Sequence, residues 1–188
     1  EKTTAYNSAT ETGKAGISFE YVDFLTSASM NISNTNLGGW KNTELRETLN
    51  GATYSSLITK YNIKKVKKDY IPEYNTASTS KSEDYLWLLS CGEIWDNGYN
   101  GGVTKGYAIA TEGKQYKYYK INLKSTSYSN SNSITKKASV NNSIWWWLRS
   151  SASGWSNTFC GVSSDGYCTG YGYSDASHSG GVAPGFAI

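Results

Sequence analysis

The side chains that could do chemistry in this 188-residue chain are few, and several of them lie near its C-terminal end. His178 is the only histidine, and Cys160 and Cys168 are the two of the three cysteines that lie nearest to it in the sequence. A Cys–His pair could supply a nucleophile and its base. Alternatively, two cysteines on one short hairpin could form a disulfide or remain buried thiols. We expect structural cysteines and an exposed loop histidine.

Acidic residues suggest two further chemistries. Asp165 and Asp175 could form the paired carboxylates of a glycosidase, but neither has an apolar pocket to tune it. Trp95, Asp96 and Asn97 resemble part of the calcium motif of sugar-binding lectins, yet calcium needs six to eight oxygen ligands and no second acidic cluster accompanies them. An odd cysteine count without a CxxC pair argues against structural zinc. We therefore expect no catalysis, no metal and no cofactor.

Composition excludes several classes of protein. Aromatic residues make up 14% of the chain, with 16 Tyr and 7 Trp, which is incompatible with a mainly disordered chain. A net charge of +3 is too small to indicate nucleic-acid binding. The longest strongly apolar run, residues 144–148, is too short to cross a bilayer. The chain begins at Glu1 without Met, so we expect a piece of a larger protein.

The periodicity of the sequence predicts an α+β domain over residues 17–188, preceded by an arm over residues 1–16. Two short helices are expected, one capped by Asn42 or Thr43 and ending at Asn50 and Gly51, and one over residues 54–60. Short strands, mostly antiparallel, are expected at residues 17–24, 63–71, 85–89, 116–121 and 144–150. We interpret the 63–71 strand as a solvated edge, because lysines discourage edge pairing. Polar loops are expected at residues 72–83 and 124–143.

The last 33 residues follow a different compositional rule. The chain has 16 Lys, 9 Glu, 1 Gln, 1 Met and 7 Trp, and all 34 lie in residues 1–155. A proportional share for residues 156–188 would be about 7. This segment instead uses small, polar and aromatic types such as Ser, Gly, Tyr, Asp and Thr.

Within that segment, residue types alternate along a predicted hairpin with a turn at residues 164–166. One face would carry Cys160, Val162, Ser164, Gly166 and Cys168. The other would carry Gly161, Ser163, Asp165, Tyr167 and Thr169, and its polar character predicts that it faces water. Residues 170–180 continue as a loop, and residues 181–188 close the chain as an apolar strand. Tyr, Ser and Gly are typical of binding loops, because Tyr offers large rigid contact area at low entropic cost.

Several motifs resemble those of a family of bacterial surface domains of uncharacterised function from gut Firmicutes and their prophages. Their C-terminal part is similar to the C-type-lectin-like fold of variable proteins that retroelements diversify. The resemblance spans residues 17–188. It is carried by Gly38, Gly39 and Trp40, by Glu44, Leu45, Arg46, Leu49 and Asn50, by residues 84–90 with Glu93 and Ile94, by residues 146–150, by Phe159, Val162 and Gly166, and by residues 181–186.

The resemblance implies a mechanism for the compositional rule. In such systems the adenines of a template repeat are miscopied, so that Asn codons become any NNC or NNT codon. Those codons cannot encode Lys, Glu, Gln, Met or Trp, which are the types missing after Trp155. The substitutable positions would be 161, 163, 165, 167, 169, 170–175 and 177–180. The core residues Trp145, Trp146, Trp147, Phe159, Val162 and Phe186 would hold this surface fixed.

The resemblance therefore implies a C-type-lectin-like fold with two short helices and small antiparallel sheets, and a non-enzymatic binding function with a variable region at about residues 155–180. The ligand would be a protein or a glycan at an extracellular or cell-surface location, or on a phage virion. An alternative is an invariant carbohydrate-binding module that stacks sugars on Trp155, Tyr171 and Tyr173. The expected ligand-binding residues are Trp155, Asn157, Gly161, Ser163, Asp165, Tyr167, Thr169, Tyr171, Tyr173, Ser174, Asp175, Ser177, His178 and Ser179.

Overall fold

A computed structural model describes residues 6–7, 17–73, 78–95, 112–122, 137–139, 142–152, 155–164, 166, 168–169 and 175–188. The described helices are α1 (Glu44–Asn50), α2 (Ser55–Lys60), α3 (Cys91–Trp95) and α4 (Lys117–Asn122), with 3-10 turns at Trp40–Asn42 and Ala52–Tyr54. The described strands are β1 (Tyr6–Asn7), β2 (Ile17–Glu20), β3 (Thr26–Ala28), β4 (Val66–Tyr70), β5 (Ser80–Asp84), β6 (Lys137–Ser139), β7 (Asn142–Ser143), β8 (Trp146–Ser151), β9 (Phe159–Val162), β10 (Cys168–Thr169), β11 (Gly180–Val182) and β12 (Gly185–Ala187). The predicted α+β class, with few short helices and small sheets, is confirmed.

The first helix forms as its sequence predicts. The Thr43 hydroxyl accepts a hydrogen bond from the Arg46 backbone N–H and so caps α1. Leu45 and Leu49 lie one helical turn apart, share a face and are both buried. Gly51 ends the helix, and α2 follows after one 3-10 turn.

The described strands form four sheets. The largest has the order β10-β9-β8-β11-β3, and a three-stranded sheet has the order β1-β2-β12. Two-stranded sheets pair β4 with β5 and β6 with β7. The pairing of β11 with β8 is parallel, so the prediction of antiparallel pairing is wrong there. Because β12 pairs with β2, the C-terminal residues lie beside the first long strand of the domain.

Two predicted strands are wrong. Residues 85–89 are mainly buried, as expected, but their one described bridge joins Trp87 to Gly185 and they form no ladder. Residues 117–122 form α4 rather than a strand. The helical conformation of α4 buries Tyr119, whose hydroxyl donates to the Glu20 carboxylate at 2.7 Å. Tertiary contacts therefore override the strand preference of its tyrosines.

The basic segment is a strand at the edge of a two-stranded sheet, as predicted, but one of its faces is buried rather than solvated. In β4, Val66, Lys68 and Tyr70 are buried, and β4 pairs along its length with β5. β5 overlaps the region predicted as a polar loop at residues 72–83 and extends one residue beyond it. In β2 the polar residues Ser18 and Glu20 are buried, whereas the apolar Ile17 is exposed. The predicted loop over residues 124–143 contains the described strands β6 and β7.

The core is built around tryptophans. All six residues of β8 are buried, which confirms the predicted core strand, and its Trp146 and Trp147 contribute to two separate apolar clusters. Phe159 and Val162 are buried as predicted, whereas Trp145 and Phe186 are partly buried. Trp145 packs edge-on against Trp147 with ring centroids 4.6 Å apart. The strand β9, which carries part of the predicted variable region, thus lies directly against a rigid aromatic core.

Candidate ligand-binding surface

Residues 31–37 and the C-terminal segment meet at one surface, although they are far apart in sequence. The Asn36 side-chain amide donates to the carbonyl oxygens of Trp155 at 2.8 Å and Thr158 at 2.9 Å. The Asn36 backbone N–H donates to the Ser156 carbonyl at 2.8 Å. Asn36 is fully buried, and its side chain fixes the path of residues 155–158 from the interior side.

Residues 175–178 are held to this surface mainly through their backbone. The Ala176 N–H donates to the Asn157 carbonyl at 2.8 Å, and the Asn31 N–H donates to the Ala176 carbonyl at 2.9 Å. Thr158 and Asp175 also form an isolated antiparallel bridge. Backbone hydrogen bonds do not depend on side-chain identity. This arrangement can therefore keep its shape when its exposed side chains change.

The described side chains at this surface divide into exposed and half-buried groups. Trp155, Ser177, His178 and Ser179 are exposed. Asn157 and Asp175 are half-buried, and the Asn157 amide donates to one Asp175 carboxylate oxygen at 3.1 Å. Asn157 and Asp175 are thus engaged with each other, whereas Trp155 and residues 177–179 reach solvent.

The predicted hairpin of β9 and β10 is confirmed, with Cys168 opposite Val162 and Thr169 opposite Gly161. Cys160 and Val162 are buried, as the inward face requires. Gly161 is also buried, so the prediction that it faces water is wrong. It lies in a strand that has neighbours on both sides. Ser163, at the end of the strand, is half-buried.

The predicted variable region ends one residue too late. Gly180 is buried in β11, and a Cβ atom there would lie 2.4 Å from ring carbons of Trp145. Any side chain at position 180 would displace an aromatic ring of the core. We therefore expect the substitutable positions to end at Ser179.

Some predicted site residues lie outside the described residues. These are Asp165, Tyr167, Tyr171, Tyr173 and Ser174, together with the side chains of Thr169 and Cys168. The lectin-like Asp96 and Asn97 also lie outside them. The pairing of Cys160 with Cys168 stays a prediction.

Behind the surface, the strand β8 carries a buried cation. The Arg149 guanidinium donates to the Glu93 carboxylate at 2.5 Å and to the carbonyl oxygens of Leu88, Asp69 and Glu112 at 2.7, 2.8 and 2.9 Å. Burial alone raises the pKa of Glu93, but the charges of Arg149 and Lys68 outweigh it and lower that pKa to about 2. The pair is therefore ionised at neutral pH.

A buried lysine completes this cluster. The Lys68 ammonium lies 3.1 Å from the Glu93 carboxylate, donates to the Tyr116 hydroxyl at 2.9 Å and lies 4.1 Å from the centre of the Trp87 ring. Burial lowers the pKa of Lys68 against the opposing pull of Glu93. Burial, and then the Glu93 charge, raise the pKa of Tyr116. Sequence reasoning missed this cluster, although a lone Arg149 in an apolar strand signals a buried partner.

Glu112 is the second buried carboxylate near Arg149. It accepts hydrogen bonds from the Ile71 backbone N–H at 2.9 Å and from the Ser150 hydroxyl. Burial raises its pKa to about 7, against the opposing charge of Arg149. Its titration near neutral pH links the stability of the core to pH. Arg149, Glu93, Lys68 and Glu112 are all buried, so this cluster lies in the interior of the domain.

A groove of about 700 Å³ lies elsewhere, between α1 and the end of the β4–β5 sheet. Two of its polar side chains, Arg46 and Asn50, already bond to other groups of the domain. Arg46 pairs with the buried Asp84 at 2.6 Å, and the Asn50 amide donates to the carbonyls of Arg46 and Leu86. The groove therefore offers mainly surface charges, and we do not assign it a ligand.

Other chemistries find little support in the described part of the chain. No group of three metal-ligating side chains is present among the described residues. Cys160 is buried while His178 is exposed, so no nucleophile pair forms between them. In the part of the chain that the structure covers, no helix has the length and apolar character needed to span a bilayer.

The fold and this surface describe an α+β domain with an exposed C-terminal face held by backbone hydrogen bonds. A family model described as a domain of unknown function, DUF6273, matches residues 12–188, and the chain belongs to that family. Searches of curated proteins and of solved structures gave no match.

Proposed function

We propose that the chain is a non-enzymatic ligand-binding domain whose exposed C-terminal face is made hypervariable by a retroelement. The scaffold would be C-type-lectin-like, and the domain would act at a cell surface or on a phage virion. The supporting observation is a coincidence of composition and position. The segment that lacks five residue types begins next to Trp155, and its exposed residues Ser156, Ser177, His178 and Ser179 lie on a surface held by backbone bonds.

The physical logic is a separation of roles. The core, with Trp146, Trp147 and the Arg149–Glu93 pair, supplies the folding free energy. Exposed residues such as Ser177 and His178 contribute little to stability, so they can change without unfolding the domain. Loops on a rigid support are the usual place for binding residues.

Sequencing the gene and its neighbourhood tests the proposal directly. We expect a near-identical template repeat and a reverse-transcriptase gene close by. Sister copies should differ at Ser163, at residues 177–179 and at the other predicted positions, and should agree at Gly161 and Gly180. Differences that are spread evenly and are mostly synonymous would contradict the proposal.

A second candidate is an invariant carbohydrate-binding module. The observation that favours it is the exposed indole of Trp155 at the edge of the surface, since aromatic rings stack on sugars. A glycan array distinguishes the two candidates. Specific binding that Trp155→Ala abolishes, together with identical sister sequences, would support the module. An array without hits would count against it.

A further inference from the structure

Two exposed aliphatic side chains, outside the predicted variable region, border the candidate surface. Ile32 is 82% exposed and Leu37 is 67% exposed. Burying such a side chain contributes roughly 1.5–3 kcal/mol, so these two positions leave most of that stabilisation unused. Exposed apolar patches on monomeric domains commonly mark interaction sites.

The position of these two residues links them to the C-terminal surface. They lie at either end of the segment whose Asn36 holds residues 155–158 and whose Asn31 holds Ala176. The exposed Trp155 is joined to the same segment, because its carbonyl accepts the hydrogen bond from the Asn36 amide. Neither Ile32 nor Leu37 falls in the segment depleted of the five residue types, and Trp cannot be written by NNC or NNT codons. All three would stay constant while their neighbours vary.

We infer that Ile32, Leu37 and Trp155 form a constant apolar anchor on the ligand-binding face, and that the ligand is a protein presenting a neutral, apolar patch. This inference rests on the proposed function and specifies its partner. The anchor supplies affinity common to all variants, and the variable residues supply selectivity.

Charge on the surface favours a protein over an acidic ligand. Across residues 31–37, 155–158 and 175–179, Asp175 is the single side chain charged at neutral pH. Its two carboxylate oxygens accept from Asn157 at 3.1 Å and from Asn34 at 3.4 Å. A second carboxylate, that of Glu44, accepts from the Ile32 backbone N–H at 3.2 Å, so the surface does not attract an acidic ligand. Apolar content with few charges is typical of the centre of protein–protein interfaces.

The aliphatic chemistry argues against a sugar as the main partner. Ile32 and Leu37 cannot pair with hydroxyl groups, and a buried hydroxyl without a hydrogen bond costs free energy. Aromatic stacking could come from Trp155 alone. A protein surface with its own apolar side chains matches all three residues.

Area argues against a second copy of this chain as the partner. Three such side chains expose apolar surface on the order of 400 Å², whereas a stable interface needs roughly 800 Å² on each partner. The rest of the buried interface area must come from neighbouring residues, which include the variable ones. A symmetric dimer requires a self-complementary face, and that match would be lost whenever the variable residues changed.

A display library of the whole chain tests the inference. Ser163, Asp165, Tyr167, Thr169, Tyr171, Tyr173, Ser174, Ser177, His178 and Ser179 are replaced through NNC and NNT codons. The library is selected against purified ubiquitin, lysozyme and serum albumin, and in parallel against a glycan array. Selected binders then receive Ile32→Ser with Leu37→Ser, or the control Ile121→Ser on α4, where Ile121 is 68% exposed. Circular dichroism checks that each variant is folded.

We expect protein binders whose Kd rises at least about tenfold with the double substitution and less than about twofold with the control. Protein binders that are indifferent to the double substitution would overturn the inference, and so would binders to glycans alone. A dimer in sedimentation runs that the double substitution abolishes would also overturn it. In each of these cases the proposed function survives. A folded library without binders of either kind would refute the proposed function as well.

Discussion

Asn36 and Trp155 are 119 positions apart, yet the Asn36 side-chain amide donates a 2.8 Å hydrogen bond to the Trp155 carbonyl. The bond is made to the backbone, so it specifies where residue 155 lies without depending on the side chain at that position. A second bond from the same amide to the Thr158 carbonyl gives the segment two fixed points.

Replacing Asn36 by Ala should destabilise the domain by about 1–3 kcal/mol, because the Trp155 carbonyl loses its side-chain donor in a partly buried site. The Thr158 carbonyl keeps its bond from the Ala152 N–H. Urea unfolding followed by fluorescence measures the loss. The control is Asn34→Ala, whose exposed amide lies 3.4 Å from Asp175 and should cost less than about 0.5 kcal/mol. Equal effects would show that Asn36 has no special role.

Substitutions at the neighbouring positions 179 and 180 should differ in their effect on stability. Ser179→Tyr places its ring in solvent and should change the free energy of unfolding by less than about 0.5 kcal/mol. Gly180→Ser places a Cβ atom 2.4 Å from the Trp145 ring and should cost about 1–3 kcal/mol or prevent folding. Thermal melts of the two variants test the boundary of the variable surface. A stable Gly180→Ser protein would move that boundary into β11.

The buried Glu112 should make stability fall as pH rises from about 4.5 to 7. Its pKa in the folded domain is about 7, above the ordinary value of 4.5, so the folded state binds the proton more tightly than the unfolded state. The resulting stabilisation is complete below about pH 4.5 and is lost as pH rises through 7. The difference in unfolding free energy between the wild type and Glu112→Gln should shrink by about 3 kcal/mol over this range.

Urea titrations at several pH values measure that difference. Glu93 should give a pH dependence of the opposite sign. Its pKa of about 2 gives stabilisation that is present above pH 4.5 and lost towards pH 2. Glu93→Gln should therefore change the acid limb of the profile and leave the limb between pH 4.5 and 7 unaltered. A Glu112→Gln curve parallel to the wild-type curve would contradict the assignment.

Arg149→Lys should be strongly destabilising although it conserves the charge. The Arg149 fork serves Glu93 and three backbone carbonyls at once, and an ammonium cannot reproduce that planar geometry. We expect a loss of about 3–5 kcal/mol, because buried carbonyl oxygens lose their donors and each such loss costs about 1–3 kcal/mol. Arg46→Lys is the control, because Arg46 is partly exposed and its partner Asp84 keeps hydrogen bonds from Trp40 and Ser82. Chemical denaturation compares the two.

Local signals made the helix at Glu44–Asn50 predictable, because a Thr cap, two leucines one turn apart and a terminal Gly all act within a few residues. The core strand Trp146–Ser151 was predictable from its apolar run. The region 117–122 was not, since its tyrosines favour a strand until burial of Tyr119 against Glu20 decides for a helix. Lys68 was misjudged for the same reason, because its anionic and aromatic partners come from other elements.

By itself, the sequence determined the α+β class, the tryptophan-rich core and the change of composition after Trp155, because these depend on residue types and short spacings. Tertiary structure decided which residues reach solvent. It buried Gly161 and Gly180, exposed Ile32 and Leu37 beside the C-terminal segment, and joined Asn36 to Trp155. Such relationships depend on which segments become neighbours in the folded chain. These segments are far apart in sequence, so no local pattern of residues predicts their contact.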